Sequence, residues 1–213
     1  MLFDERDQKL NERVTDEIKD SLEASIAGVW SENAISIHYE AIHNLPPKKL
    51  RQFVDLVDRN LGKFYVKHTG KPTWKLDKFE EMRESGLIYV WLTSEDNSIV
   101  GFMSFKLCSE DEDETVLYLY EIHIVPQFQA LKLGGKLMQI FHALAKDLSD
   151  RKSPWYFQSC KATSLTVFTD NSPALSWYLK LGYKIHPNSP QDKHLRSGKV
   201  VKPDYYILIR SCI

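Results

Sequence analysis

The sequence predicts an α/β domain: a mixed, mostly antiparallel central sheet, helices on both faces, and an extra helix at the N-terminus. Three observations carry that expectation. Residues 87–93, 99–107 and 115–125 are β-rich apolar runs joined by short polar turns, which reads as three successive antiparallel strands. From there to the C-terminus strand and helix patterns alternate, an order that builds a sheet covered on both sides. Several segments carry apolar residues at helical spacing, each needing a surface to pack on.

The elements follow in order. In residues 4–27, Leu10, Val14, Ile18, Leu22 and Ile26 recur every fourth position, giving a helix with one apolar stripe. That stripe either braces the domain or docks a partner, and the chain divides accordingly into a helical extension, 1–30, and a domain, 31–213. Residues 34–42 read as a short strand. Pro46 and Pro47 then open a helix with Leu50, Phe53, Val54, Val57 and Leu61 on one face. Lys67–Thr73, with Gly70 and Pro72, reads as a loop and Lys75–Glu84 as a short helix. After the three strands, Leu133, Leu137, Ile140, Phe141, Leu144 and Leu148 mark a helix over 133–148. Residues 149–161 look irregular. Strands at 163–168, 182–185 and 205–210 and a helix at 172–180 complete the chain.

Composition narrows the function. With 28 basic and 29 acidic residues the net charge is −1, which argues against direct nucleic-acid binding, since that rests on neutralising phosphates. The chain opens on charged residues without the apolar run of a signal peptide, and no stretch reaches bilayer length. Cys108, Cys160 and Cys212 are scattered and odd in number, and imply neither a metal site nor a disulfide framework. The expected setting is the cytoplasm, the nucleus or both, with no membrane association and no metal.

The strongest chemical signal lies between the strand ending at Val125 and the helix opening at Leu133. A short loop feeding a helix start leaves backbone N–H groups unpaired at the positive end of the helix dipole, and together they bind phosphate. Gly134 and Gly135 would let a bulky ligand approach the backbone; the plainer reading makes them packing glycines. About 40 residues on, Asn171-Ser172-Pro173 opens a second helix carrying Tyr178, which ends at Gly182 before another strand.

These two segments, in this order, resemble the GNAT superfamily of acetyltransferases. Its pyrophosphate loop has the form Gln/Arg-x-x-Gly-x-Gly/Ala; Gln129 and Gly134 match, whereas Lys132 stands where the first glycine would be. The resemblance implies a GNAT fold with acetyl-CoA as co-substrate in a splay between two central strands. It would be held by Ile122, His123 and Ile124 at the strand end and by Gln129, Ala130, Leu131, Lys132, Leu133, Gly134 and Gly135 in the loop. Asn171 would contact the cofactor, and Tyr178 would lie near its sulfur. From about Asn60 to Arg210 the chain is similar, more specifically, to the NatD family, which acetylates the N-termini of two core histones. Val116-Leu117-Tyr118-Leu119-Tyr120-Glu121-Ile122 carries that likeness, with Asn60–Tyr65, Trp74-Lys75, Leu165–Phe168, Asn188-Ser189-Pro190, and Tyr205 with Ile207-Leu208. Pro72 replaces a tryptophan of the relatives, and Cys108 or Ser109 an aspartate. The likeness implies catalytic or substrate-lining roles for Tyr118, Tyr120 and Glu121, and a peptide site lined by Tyr65, Trp74, Thr166, Asn188 and Tyr205. It also implies histone N-terminal tails beginning Ser-Gly-Arg-Gly as partners, and no obligatory auxiliary subunit. Transfer to a lysine or small amine, and a non-catalytic binding module, are the rival readings.

The chemistry gives these residues work. An α-amine has a pKa of about 7.7–8.0 and must attack as the free base. Glu121 could take its proton if burial raises the carboxyl pKa. A strand N–H could stabilise the oxyanion, and Tyr178 could protonate the leaving thiolate. In a regular strand, however, Tyr118 and Tyr120 point to one face and Glu121 to the other. One shared cavity therefore requires a bulge between residues 119 and 123. The acidic run Glu110–Glu114 either is simply solvated or steers a basic peptide inward.

Overall fold

A computed structural model describes residues 5–32, 34–111, 114–151 and 160–212, without the side chains of 5–13, 110, 111 and 114. Seven strands form one sheet in the order β1-β2-β3-β4-β5-β9-β6. They are β1 (Ile35–Ala41), β2 (Ile88–Ser94), β3 (Ile99–Asp111), β4 (Glu114–Ile124), β5 (Cys160–Phe168), β6 (Lys184–Ile185) and β9 (Tyr205–Ser211). Between the last two, β7 (Lys193–His194) and β8 (Val200–Val201) pair as a separate two-stranded ribbon. Among the described residues β4 and β5 are the one parallel pair; every other neighbour is antiparallel.

Helices cover both faces, each against its own apolar cluster. On one side α2 (Pro47–Thr69) and α3 (Trp74–Glu81) bury Leu50, Phe53, Val57 and Trp74 against Tyr89 and Phe102. On the other, α4 (Leu133–Asp150) buries Leu137, Ile140, Phe141 and Leu144. The N-terminal helix α1 (Glu5–Val29) packs along α4. Val14, Ile18 and Leu22 of its stripe join the same core, and Lys19 ties it to Glu40 of β1 at 2.7 Å. α5 (Ser172–Lys180) spans the residues its Pro173 and trailing glycine mark out.

Several elements depart from the sequence expectation. α2 runs through Lys67 to Thr69, because the stop is Gly70 at φ 63, a left-handed cap that glycine adopts without strain. β3 extends to Asp111 rather than stopping at 107, and β5 starts at Cys160. The side chains of the acidic run Glu110–Glu114 lie outside the described residues, as do residues 152–159.

Two irregularities of β4 shape what lies above it. Opposite β3, Ser104 faces Glu121 and Phe105 faces Leu119, so Tyr120 is an extra residue: a bulge. On the other side, the parallel pairing with β5 ends at Leu119 opposite Leu165. Beyond that point the two central strands part, leaving the β5-facing edge of β4 from Tyr120 to Ile124 open.

Candidate active site

The parting strands form the floor of a cleft of about 1060 Å³, walled by α2, α3, the start of α4 and α5. Each wall is fixed by its own contacts. Asn60 of α2 donates its side-chain amide to the Ile124 carbonyl at 3.1 Å, joining the helix to the end of β4. Lys67 and His68 pair with Asp170 at 2.5 and 3.0 Å, tying the end of α2 to the β5–α5 loop.

The bulge decides which side chains meet. Without it, Tyr118 and Glu121 would project from opposite faces. With Tyr120 inserted, Tyr118, opposite Lys106, and Glu121, opposite Ser104, come to the same face, and all three residues line the cleft. Tyr118 and Tyr120 meet edge to face at 5.2 Å. The Tyr118 hydroxyl lies 2.6 Å from Thr166 Oγ1, bridging the gap between β4 and β5. Tyr120 donates to Glu84 at 3.1 Å.

Glu121 is buried and held at both oxygens. Lys78 Nζ lies 2.9 Å from Oε1, the Tyr65 hydroxyl donates to Oε1 at 3.3 Å, and His123 Nε2 lies 2.6 Å from Oε2. Burial alone would raise its pKa, but the Lys78 ammonium and the His123 contact outweigh it and hold the carboxyl down at about 2. This corrects the expectation of a burial-raised general base: at neutral pH Glu121 is a firmly ionised carboxylate with little appetite for a proton. The controlling group is Lys78 of α3, which no sequence motif singles out and which lies buried beside Glu121.

The start of α4 has the features of an anion cradle. Its first helical bond runs from Lys136 N–H to Lys132 O, so the N–H groups of Leu133, Gly134 and Gly135 precede the ladder. No acidic residue occupies the first turn and no side chain caps it. Packing does not require the glycines: a Cβ on Gly135 would meet no atom within 4 Å, and one on Gly134 only ordinary contacts at 3.6–3.8 Å. The space above them suits a bulky phosphate ligand. The chain makes this turn with Ala130 and Lys132 both left-handed, at φ 65 and 62. Lys132 thus keeps the backbone shape that glycine would give, at a conformational cost of about 1–2 kcal/mol. Gln129 donates to the Ile124 carbonyl at 3.0 Å, closing the loop onto the strand.

The model of the acetyltransferase (GNAT) family matches residues 53–183, more than half of the chain. The chain belongs to the GNAT family. A curated relative, N-alpha-acetyltransferase 40 of Saccharomyces cerevisiae, is 30% identical over 192 residues, covering 78% of this chain and 65% of the relative. The chain thus spans slightly less than two thirds of that relative's length. Solved structures share the fold. An acetyltransferase from Streptococcus agalactiae has a TM-score of 0.57 at 15% identity, covering 84% of this chain and 99% of its own. Arabidopsis thaliana NAA60 with a bisubstrate analogue has a TM-score of 0.51 at 14% identity, covering 83% and 98%.

In this GNAT fold the cleft brings together Tyr65, Tyr118, Tyr120, Glu121, Ile122, His123, Ile124, Gln129, Ala130, Lys132, Leu133, Gly134, Gly135, Thr166, Asn171 and Tyr178. Asn171 occupies the cap position of α5 without a side-chain cap bond, and lines the cleft instead. Tyr178 is buried against Trp177 and Tyr183, and burial, then its neighbours' charge, raises its pKa, so the phenol stays protonated.

Four expected site residues lie elsewhere. Trp74 is buried and stacks on Tyr65 at 4.6 Å, behind the wall it supports. Leu131 points away, 58% exposed. Asn188 is exposed and donates its backbone N–H to His186; its buried neighbour Ser189 makes the structural link, accepting from Ile207 N–H at 3.0 Å. Tyr205 is exposed at the start of β9, opposite Phe168, beside the cleft but not lining it. Among the described residues no cluster is placed to hold a metal, and no helix is long and apolar enough to cross a membrane.

Proposed function

We propose that this chain is an N-alpha-acetyltransferase of the NatD type, moving an acetyl group from acetyl-CoA to the free α-amine of tails that begin Ser-Gly-Arg-Gly, as in two core histones. The observation that carries the reading is the bulge at Tyr120. It sets Tyr118 and Glu121 on one wall, within the cleft that also holds the anion cradle of α4. The likeness to a yeast N-alpha-acetyltransferase supports the peptide α-amine as acceptor.

In this reading the first turn of α4 and Lys132 receive the pyrophosphate, and Asn171 and the open edge of β4 align the pantetheine arm. Acetyl-CoA supplies the activated thioester. Glu121 anchors and orients the amine as a fixed anion. The amine is drawn in as the cation and gives one proton to water before it attacks, a step kept small near neutral pH by a reference pKa of about 7.7–8.0. Attack forms the N–C bond, the oxyanion falls beside the exposed N–H groups of β4, and the nitrogen gives its second proton to water. The C–S bond then breaks, with the Tyr178 phenol as the donor facing the departing sulfur. Holding both reactants in line supplies much of the acceleration. Tyr65, Tyr118, Tyr120 and Thr166 line the peptide arm. Histone tails as partners place the reaction in the cytoplasm, the nucleus or both, with no auxiliary subunit and no direct contact to nucleic acid.

The test is incubation with acetyl-CoA and a Ser-Gly-Arg-Gly-Lys peptide, with the N-terminus free or blocked. Acetylation of the free peptide alone is expected. Acetylation of both shows transfer to lysine, and CoA binding without turnover shows a non-catalytic module; either result overturns the reading.

A further inference from the structure

Lysine is almost never fully buried unless paired. Lys78 has a side chain only 7% exposed, yet it lines the cleft. Two carboxylates grip its ammonium, Glu121 Oε1 at 2.9 Å and Glu81 Oε1 at 2.6 Å, and it sits 4.9 Å over the ring of Tyr65. A buried ion pair is often no more stable than apolar side chains filling the same space, and α3 already packs through Trp74.

The neighbouring hydrogen bonds fix the direction of the whole array. Asn60 Nδ2 lies 3.1 Å from the Ile124 carbonyl, which can only accept, so the amide nitrogen faces that way. Its second hydrogen reaches His123 Nδ1 at 3.3 Å, making Nδ1 the acceptor. His123 Nε2–H therefore donates to Glu121 Oε2. Glu121 thus receives three donors from three elements: Tyr65 from α2, Lys78 from α3 and His123 from β4 itself. The other titratable groups facing it are Glu81, Tyr89 and Tyr178. Two carboxylates, Glu121 and Glu81, thus share one ammonium at this end of the cleft.

We propose that Lys78 is a positioning residue for the transfer reaction and acts through Glu121: it locks that carboxylate as an oriented anion, and with Glu81 makes the cleft floor receptive to a cationic amine. The kinetic part rests on the N-terminal acetyltransferase reading; the electrostatic part does not. Removing the ammonium while His123 and Tyr65 remain leaves a buried carboxylate short of its counter-ion, and its affinity for a proton climbs by roughly 1–3 pH units.

Two experiments decide the matter. In protein carrying 13C-labelled glutamate carboxyls, assigned with E121Q, the Glu121 titration midpoint is followed in the wild type, K78M and K78R. K78Q serves where K78M does not fold. The wild-type midpoint is expected well below 4.5. The expected rise in K78M is roughly 1–3 units, largely reversed in K78R. A wild-type midpoint at or above 4.5, or equal midpoints in the wild type and K78M, overturns the proposal even if the protein acetylates N-termini. With the free-N-terminal peptide, K78M is expected to lower kcat/KM about tenfold or more, to move the acid limb of its pH profile upward, and to be rescued by K78R. In an E121Q background the same change is expected to cost less than twofold. A K78M loss as large without Glu121 as with it overturns the proposal, whereas absence of N-terminal acetylation in the wild type overturns only the functional reading.

Discussion

Glu121→Gln removes one charge and almost no volume, so its effect reports the electrostatics of the cleft floor. The carboxyl sits at about 2 against an ordinary 4.5, a preference for the anion equivalent to about 3 kcal/mol at roughly 1.4 kcal/mol per pH unit. The amide forfeits that preference. It also offers one acceptor oxygen where the carboxylate offered two, so Lys78 or His123 faces an N–H donor. The variant is therefore expected to be about 3 kcal/mol less stable at pH 7. For a chain of this length that lowers Tm by about 6–12 °C. The sign of the pH dependence follows from the direction of the shift. The folded pKa is depressed, so the wild-type advantage is complete above the unfolded value of 4.5 and drains away as pH falls towards 2. Urea unfolding followed by tryptophan fluorescence should show the gap between wild type and variant shrinking by about 1 kcal/mol between pH 7 and pH 4. A gap below 1 kcal/mol at pH 7, or one that does not change with pH, would refute the buried ion-pair account.

Thr166→Val leaves the Tyr118 hydroxyl without its partner across the strand gap, and is expected to lower kcat/KM about three- to tenfold with an unchanged urea midpoint. Lys132→Gly relieves the left-handed strain and should raise stability by up to about 1 kcal/mol. The same variant should weaken CoA binding about threefold at low salt, a difference that calorimetry should find shrinking as salt rises. Leu22→Ala cuts a fully buried side chain of α1, and a loss of about 2–5 kcal/mol in urea unfolding is expected. A loss below 1 kcal/mol would show that α1 does not share the core of α4.

Much of this structure is legible from local sequence, and the exceptions have physical reasons. α5 matches its expected limits because Pro173 and the trailing glycine punctuate it chemically. The β4 bulge does not show in hydrophobic periodicity; it follows from asking how Tyr118, Tyr120 and Glu121 can share one cavity. β7 and β8 escape notice because two exposed residues apiece, Lys193-His194 and Val200-Val201, carry no alternation to read. The protonation of Glu121 is not legible in the sequence because its controlling charge comes from another element. Burial can be guessed from a strand pattern, whereas a lysine arriving from α3 can be seen only once the chain is folded. Trp74 stacks behind Tyr65 rather than lining the cleft itself, a distinction of a few ångströms that sequence spacing does not resolve.

In the proposed reaction one cleft holds CoA at the start of α4 and the peptide amine at the bulged wall of β4. A crystal structure with CoA joined through an acetyl bridge to the α-nitrogen of Ser-Gly-Arg-Gly-Lys tests it most directly. Pyrophosphate oxygens are expected within hydrogen-bond reach of the N–H groups of residues 133–135, and the peptide nitrogen against Tyr118 and Glu121. Pyrophosphate bound away from the α4 terminus, or a peptide leaving by a path that never meets the bulge, would contradict it.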